Sequence, residues 1–458
     1  KISSDSALLF DAGPDPELLD RCLKSIGVKH LPLIVLSHNH ADHYYGVTGA
    51  LRKREIGQIW SNGNISREEL SNYSISKVGA GDIARIDDVS LEVLWPPATS
   101  SQFSNLSGDG SQENNRSLVI LAQVGQVKVL ITGADGLLGN NLVRELLSRE
   151  YEVSVMLLNE QLPTLGLNEL PIQRYFGNVL DKSAVENAIS GHDMVIHAAA
   201  STQLYPARDS IIHEVNVTGT SHVIEACLNN NVKRLIHIGT ANSFAPGYKH
   251  EPGDENSTYN GFKYGLDYID SKYEAQNLVI NAVTNKGLNA VIVNPTFMIG
   301  PYDTKPSSGG LILALFHKKI PVYTKGSKTY VAVKDAAVAI ANALTLGKAG
   351  ECYILGNHCL SYQEAFELIG VTIGVSAPRI SLPPQIIKLY GIFSSWYAKI
   401  SGIVPSVTKE LAIISSEHHC YSGEKARQQL LMPNTDLQIS VKECFEWFQQ
   451  NGYTNKVN

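Results

Sequence analysis

The sequence predicts an α/β chain built on a doubly wound parallel sheet. Two observations carry this reading. A short β-branched run over 127–131 passes through Gly133, Gly136 and Gly139 into an amphipathic pattern over 141–148. Beyond it, strand-like and helix-like segments alternate at the length of βαβ units as far as residue 238.

A length of 458 residues implies at least two domains. Hydrophobic content of 43% with 18% charge is that of a soluble globular enzyme. A net charge of -6 gives no electrostatic case for nucleic acid or an anionic membrane. No apolar run is long enough to span a bilayer; the best candidate, 386–404, carries Lys388 and Lys399 and reads as an amphipathic helix. Cys22, Cys227, Cys352, Cys359, Cys420 and Cys444 are far apart and form no paired motif. That implies a reducing, cytoplasmic setting and no disulfide scaffold. The chain opens on Lys1 with no charged-then-apolar leader, so a cut or incomplete start without a signal peptide is expected.

In the first piece, 1–126, residues 7–11 read as a strand ending in Asp11 and 16–25 as a helix. Residues 33–36 read as a second strand, followed at once by Ser37, His38, Asn39, His40, Ala41, Asp42 and His43. His38 and His40 can reach one ion, and Asp42 and His43 a second; imidazole and carboxylate suit zinc. Residues 99–116, rich in Ser, Asn, Gly and Gln, read as a flexible loop. Residues 117–126 read as a further strand.

In the second piece, Gly133 allows a tight turn and Gly136 lets backbone approach a pyrophosphate. Gly139 lets the helix pack on the strand, with its N-terminus facing the phosphates. Further strands are expected over 151–158, 171–179, 193–200 and 234–238, and a helix over 183–189. Ala198, Ala199 and Ala200 at the end of the fourth strand let a cofactor lie flat on the sheet edge. Residues 216–220 are expected to start a helix. Tyr268 and Lys272, four apart on a predicted helix, share a face. A free tyrosine titrates at about 10. A nearby ammonium and a positively charged nicotinamide lower that value toward useful acid–base work. Lys272 can also bond the nicotinamide ribose, and Thr240 can hydrogen-bond the reacting oxygen. Tyr268 then passes a proton while hydride moves.

The His38-x-His40-x-Asp42-His43 pattern resembles that of the metallo-β-lactamase fold. With Phe10-Asp-Ala-Gly-Pro-Asp15 and Val93-Leu-Trp-Pro-Pro97, it is most similar to the hydrolase-like domain of ComEC-type DNA-uptake proteins. This resemblance covers about the first quarter of the chain and implies a zinc hydrolase acting on phosphodiesters. The family adds a later histidine, a bridging aspartate and a final histidine. Here the next histidine after His43 is His192, Asp135 comes one place late, and the opening strand is missing. The segment therefore reads as a partial domain with an incomplete zinc set. Because strand 127–131 serves either piece, the sequence reads as a join with its crossover between about Val127 and Gly133.

Gly133-x-x-Gly-x-x-Gly139, His197-Ala-Ala-Ala200, Asn216-Val-Thr-Gly-Thr220, Tyr268-x-x-x-Lys272 and Asn294-Pro-Thr-Phe-Met-Ile-Gly-Pro301 resemble the extended short-chain dehydrogenase/reductase family. That resemblance runs from about residue 128 to the C-terminus. It implies a Rossmann-type core over about 127–300 and a substrate lobe mainly over 301–458. It implies NAD or NADP held by Gly133, Gly136, Leu137, Leu138, Gly139, Asn178, Val179, Ala198, Ala199, Ala200, Tyr268, Lys272, Asn294, Pro295 and Thr296. Thr240, Tyr268 and Lys272 would be catalytic, and a homodimer is the family expectation. Leu157 stands where NAD-preferring members carry Asp, and Leu158 where NADP-preferring ones often carry Arg, which leans to NAD. Ala241-Asn242 follows Thr240 where 4,6-dehydratases need Asp-Glu, which argues against dehydration.

The leading expectation is an NAD(P)-dependent oxidoreductase acting on a small carbonyl or alcohol. A nucleotide-sugar epimerase using the same residues is the alternative, a zinc hydrolase the second, and a non-catalytic dinucleotide-binding protein the third. Tyr390, Phe393, Trp396 and Tyr397 are expected either to wall an apolar substrate site, as in dihydroflavonol reductases and 3β-hydroxysteroid dehydrogenases, or to pack in the lobe. His418, His419 and Cys420 read as loop residues.

Overall fold

The computed structural model describes residues 2, 5–38, 40–62, 68–86, 89–95, 117–124, 127–160, 165–402, 405 and 407–455. Asn39, Pro96, Pro97 and the loop expected over 99–116 lie outside them. The chain forms two compact units, Lys1–Gln126 and Val127–Asn458.

In the first unit, strands Ser6–Phe10, His30–Leu36, Glu55–Ser61 and Ile75–Lys77 form a parallel sheet in that order. Ile83–Ile86, Val89–Trp95 and Val119–Val124 form an antiparallel one. Helix Pro16–Ser25 is fixed by its N-cap: the Asp15 carboxylate accepts from the N–H groups of Glu17 and Leu18, with proline in the first turn. Alternation along His30–Leu36 sends Ile34 and Leu36 into one apolar cluster and Leu33 and Val35 into another.

The second unit is built on seven parallel strands: β1 Lys128–Thr132, β2 Glu152–Leu157, β3 Gln173–Phe176, β4 Met194–His197, β5 Arg234–Ile238, β6 Ala290–Pro295 and β7 Cys352–Leu355. Their order is β3-β2-β1-β4-β5-β6-β7. The order reverses between β1 and β4, which opens a crevice at the carboxyl ends of the strands. Helices α1 (Leu137–Ser148), α2 (Lys182–Ile189), α3 (Gly219–Asn229), α4 (Asp267–Lys286) and α5 (Val333–Ala343) cover the faces. Val129 and Ile131 of β1 share a core with Leu142 and Leu146 of α1 and Ile340 of α5. Leu130 shares the opposite core with Val185 of α2, Val223 of α3 and Val279 of α4. Burial on both faces is why these strands read as unbroken apolar runs.

The strand expected over 171–179 is shorter, Gln173–Phe176, and two other departures from expectation bear on the site. β4 ends at His197, and Ala198–Ala200 leave the sheet. Thr132 continues to hold them, its carbonyl accepting from Ala198 N–H and its Oγ1 from Ala199 N–H. Residue 216 does not begin a helix. The run starts at Ser210, capped by Asp209, and passes through a π turn at Glu214–Thr218 into α3.

The lobe pairs strands Phe297–Ile299, Ser327–Ala332, His358–Ser361 and His418–His419. Its core includes Tyr330, Phe366, Trp447 and Phe448. Here His418 and His419 belong to a strand and not to a loop. Cys359 and Cys420 are joined in a disulfide, correcting the expectation of unpaired cysteines. The loop-to-strand change and the pairing share one cause, partners distant in sequence: Ser327 faces His418 across 91 residues, and 61 separate the two cysteines. Two further helices, α6 Pro384–Ser401 and α7 Lys409–Ile414, complete the lobe.

α1 meets its strand closely at Gly139, where a Cβ would overlap Gly133 O and lie 2.8 Å from Ala134 C. Gly139→Ala should therefore destabilise the second unit by about 1–3 kcal/mol. A denaturant midpoint matching the parent chain would contradict that packing.

Candidate active site

A cavity of about 1010 Å³ opens at the carboxyl ends of β1, β4, β5 and β6. One wall is the glycine turn. Gly133 sits at φ +72°, and a Cβ there would lie 2.7–2.8 Å from the backbone of Ala198 and Ala199. Only glycine allows the ends of β1 and β4 to approach this closely. Gly136 is the N-cap of α1 and gives no side-chain cap, so the N–H groups of the first turn are available to an anion. This cradle fits the pyrophosphate of a dinucleotide. Lys305 flanks it, its ammonium 2.7 Å from the Asp135 carboxylate. Asn178 and Val179 line the far end. Leu157 is buried in the core, while Leu158 is exposed on the rim, so neither expected ribose position carries an acid or an arginine.

Thr240, Tyr268 and Lys272 line the same cavity, as do Leu137, Leu138, Ala198, Ala199, Ala200, Pro295 and Thr296. Asn294 does not. Its carboxamide turns inward, donating to Thr240 O at 3.0 Å and Gln276 Oε1 at 2.7 Å, so it braces the end of β5 from behind. Lys272 is buried and donates to Ile238 O at 2.5 Å. Burial lowers its ammonium to about 8. Burial also raises the Tyr268 phenol above its ordinary value, and a hydrogen bond with the Thr240 hydroxyl opposes that rise. The lowering expected of Tyr268 is not met in the chain alone, where burial outweighs the opposing hydrogen bond from Thr240.

Beneath the site His197 is neutral, held down to about 3 by burial and by the charge of Lys272. Its Nδ1 lies 2.8 Å from Thr132 Oγ1 and its Nε2 3.1 Å from Thr220 Oγ1. The Thr220 hydroxyl donates to Asn216 O, which assigns the ring proton to Nε2. Asn216 has a role that the motif did not reveal. Its carboxamide grips Ser201, accepting from the N–H at 2.8 Å and donating to the carbonyl at 3.0 Å, and it donates to Ser271 Oγ at 2.9 Å. The only sequence signal was an asparagine inside an otherwise helical stretch.

The substrate side is largely apolar, with Leu204, Phe297, Met298, Leu411 and Ile414 joined by His419 and Tyr421. His419 is a buried wall residue held neutral, at about 4, chiefly by burial. Lys328 is the cation on this side, 4.4 Å over the Phe297 ring. Tyr390, Phe393, Trp396 and Tyr397 do not line the cavity and are exposed on α6; α7 supplies the apolar wall instead.

In the first unit the expected zinc ligands make other bonds. His38 Nδ1 lies 3.0 Å from both Ser37 Oγ and Ser117 Oγ, and His43 Nδ1 lies 2.7 Å from Asp11. Asp42 pairs at 3.5 Å with His43 Nε2, and the His40 ring stands 4.7 Å from that of His38. Among the described residues no group of three or more His, Cys, Asp or Glu is placed to hold a metal. His38, His40, Asp42 and His43 therefore do not fit the zinc set, and no chemistry is derived through it.

Residues 129–356 match the model of the NAD dependent epimerase/dehydratase family, and residues 2–67 that of the metallo-beta-lactamase superfamily. A Synechocystis protein provisionally named dihydroflavonol 4-reductase is 28% identical over 70% of this chain and 95% of its own. Sterol demethylase protein B of Methylococcus capsulatus is 26% identical over 70% and 98%. Rat 3 beta-hydroxysteroid dehydrogenase type 7 is 32% identical over 36% of this chain and 52% of its own. Among solved structures, the Thermus thermophilus UDP-glucose 4-epimerase complex with NAD has a TM-score of 0.57 at 19% identity. It covers 70% of this chain and 99% of that one, a likeness of fold.

The buried ammonium has a consequence for stability. Lys272 titrates at about 8 in the folded chain and at its ordinary 10.5 when unfolded, so between those values the unfolded state binds more protons. Its contribution to stability should rise from pH 8 to 10.5, by roughly 3 kcal/mol in all. Denaturant titrations should show the parent chain gaining over that window relative to Lys272→Met. Parallel pH profiles would refute the assignment.

Proposed function

We propose that residues 127–458 act as an NAD(P)-dependent oxidoreductase that interconverts a lipophilic alcohol and its carbonyl, a reading supported by the match of residues 129–356 to the NAD dependent epimerase/dehydratase family. The observation that carries the reading is that Thr240, Tyr268 and Lys272 share one cavity with the glycine cradle and an apolar wall from Leu204, Leu411 and Ile414. The relatives' names, which include a sterol demethylase protein and a hydroxysteroid dehydrogenase, support the same substrate class.

NAD or NADP, when bound, supplies a carbon that gives or takes hydride and, when oxidised, a positive charge. The residues do the rest. Tyr268 passes a proton to or from the substrate oxygen. Thr240, hydrogen-bonded to that phenol, orients the same oxygen. Lys272, fixed by Ile238 O, holds the nicotinamide ribose and places a cation below the tyrosine. The apolar wall excludes water and strengthens each of these bonds.

Tyr268→Phe should lower kcat by about 10²–10⁴-fold while NADH binding, followed by nicotinamide fluorescence, stays within a few-fold. Full activity in this variant would remove the tyrosine from the mechanism. With no arginine at the β2 rim, NADH should bind better than NADPH. Leu158→Arg should improve NADPH binding by roughly tenfold; an unchanged preference would place the 2′-phosphate elsewhere.

A second reading, nucleotide-sugar epimerisation, is favoured by Lys328, a cation suited to a diphosphate. An epimerase would turn over with no net change in absorbance at about 340 nm, because the cofactor is regenerated.

A further inference from the structure

α6 is inverted relative to an ordinary surface helix. Its inner face is small: Ala398 is buried, and at Gly391 a Cβ would lie 2.8 Å from Thr408 O and from Ala412 Cβ. Glycine there lets α6 sit tightly against α7, and Ser395 Oγ accepts from Lys409 N–H at 3.0 Å. Its outer face carries Ile386, Leu389, Phe393, Trp396, Tyr397 and Ile400, each exposed by 52–66%. Projected at about 100° per residue, these six span about 100°, and Ile392 and Tyr390, 48% and 49% exposed, extend the arc to roughly 160°. Water-exposed apolar side chains in such a contiguous arc mark a surface built to be covered.

The surrounding charge identifies the cover. Between Glu367 and Glu410 the sequence has no acidic residue but four cations, Arg379, Lys388, Lys399 and Lys409. Lys388 borders the apolar arc in projection, and tryptophan and tyrosine lie within the arc. Cations, aromatics and aliphatics on one helix match the boundary between headgroups and acyl chains of an anionic bilayer. A second copy is a poor match, because a two-fold pairing of α6 would set cations against cations. No described helix is long and apolar enough to cross a membrane, so the helix lies on the surface.

We propose that α6 docks this unit on an anionic membrane surface through the arc from Ile386 to Ile400, with its partner helix α7 forming the adjoining wall of the active-site cavity. Leu411 and Ile414 of α7 line that cavity, so docking sets its apolar side next to the bilayer from which a lipophilic substrate can enter. This last link rests on the proposed oxidoreductase reading; the docking does not.

The test is co-sedimentation of the full chain with phosphatidylcholine vesicles, with and without phosphatidylglycerol. The same samples are titrated with NADH and examined by velocity sedimentation. The parent chain should bind the mixed vesicles, bind several-fold less to phosphatidylcholine alone, and show a blue-shifted Trp396 emission that Trp396→Phe removes. The triple variant Phe393→Ser, Trp396→Ser, Ile400→Ser should lose vesicle binding by about tenfold or more and keep its NADH binding. Equal binding by parent and triple variant, or no parental binding alongside intact NADH binding, would overturn the proposal. A dimer that the triple variant loses, without vesicle binding, would assign the face to a second copy and overturn it as well. Vesicle binding without NADH binding would support the docking and sink the oxidoreductase reading alone.

Discussion

A single buried charge governs the site. The Lys272 ammonium sits where water is excluded, with the carbonyl of Ile238 as its hydrogen-bond acceptor. Burying such a group is costly, and the surrounding residues are arranged around that cost. His197 and His237 lie close enough for the ammonium to disfavour their protonation, and both are neutral. The layer behind the cavity is therefore hydroxyls, amides and uncharged imidazoles. The His197 ring is wedged between Thr132 of β1 and Thr220 of α3, tying two elements on either side of β4. Asn294 ties β6 to the end of β5 in the same way. The hydrogen bonds of His197 and Asn294 hold this layer without adding a charge that competes with the lysine.

Much of the second unit could be read from the sequence because its signals are local. Three glycines between a β-branched run and an amphipathic run specify strand, turn and helix without reference to the rest of the chain. Tyr268 and Lys272 are spaced by one helical turn. Thr240 follows a strand whose ends were placed correctly at Arg234 and Ile238. What was illegible depends on partners distant in sequence. His418, His419 and Cys420 look like loop residues until Ser327–Ala332 pairs with them. Asn294 has the composition of a cofactor contact, but its orientation is set by Gln276 and Thr240 O. The aromatics of α6 look like a cavity wall or a core, and only the packing of Gly391 and Ala398 shows which side faces the protein.

The first unit shows the limit of motif reading from the other direction. Its helix was placed residue for residue, because Asp15 and Pro16 mark its start. Its histidines follow a buried strand as a metal motif requires. His38 nonetheless finds Ser37 and Ser117, and His43 finds Asp11, so that these ligand-type residues make a hydrogen-bonded cluster. Ligand identity is local, whereas ligand convergence needs loops that come later in a chain.

The π turn at Glu214–Thr218 restricts how this chain can change in length. It holds one more residue than a regular turn would, so everything after it is rotated by about 100° relative to an uninterrupted helix. That offset lets Asn216 grip Ser201 while Val223 and Cys227 still enter the core. Removing one residue here would restore an ordinary helix but disengage one of those two sets. Insertions and deletions can therefore accumulate in exposed loops, while this stretch has a fixed residue count, imposed by the cavity on one side and the core on the other.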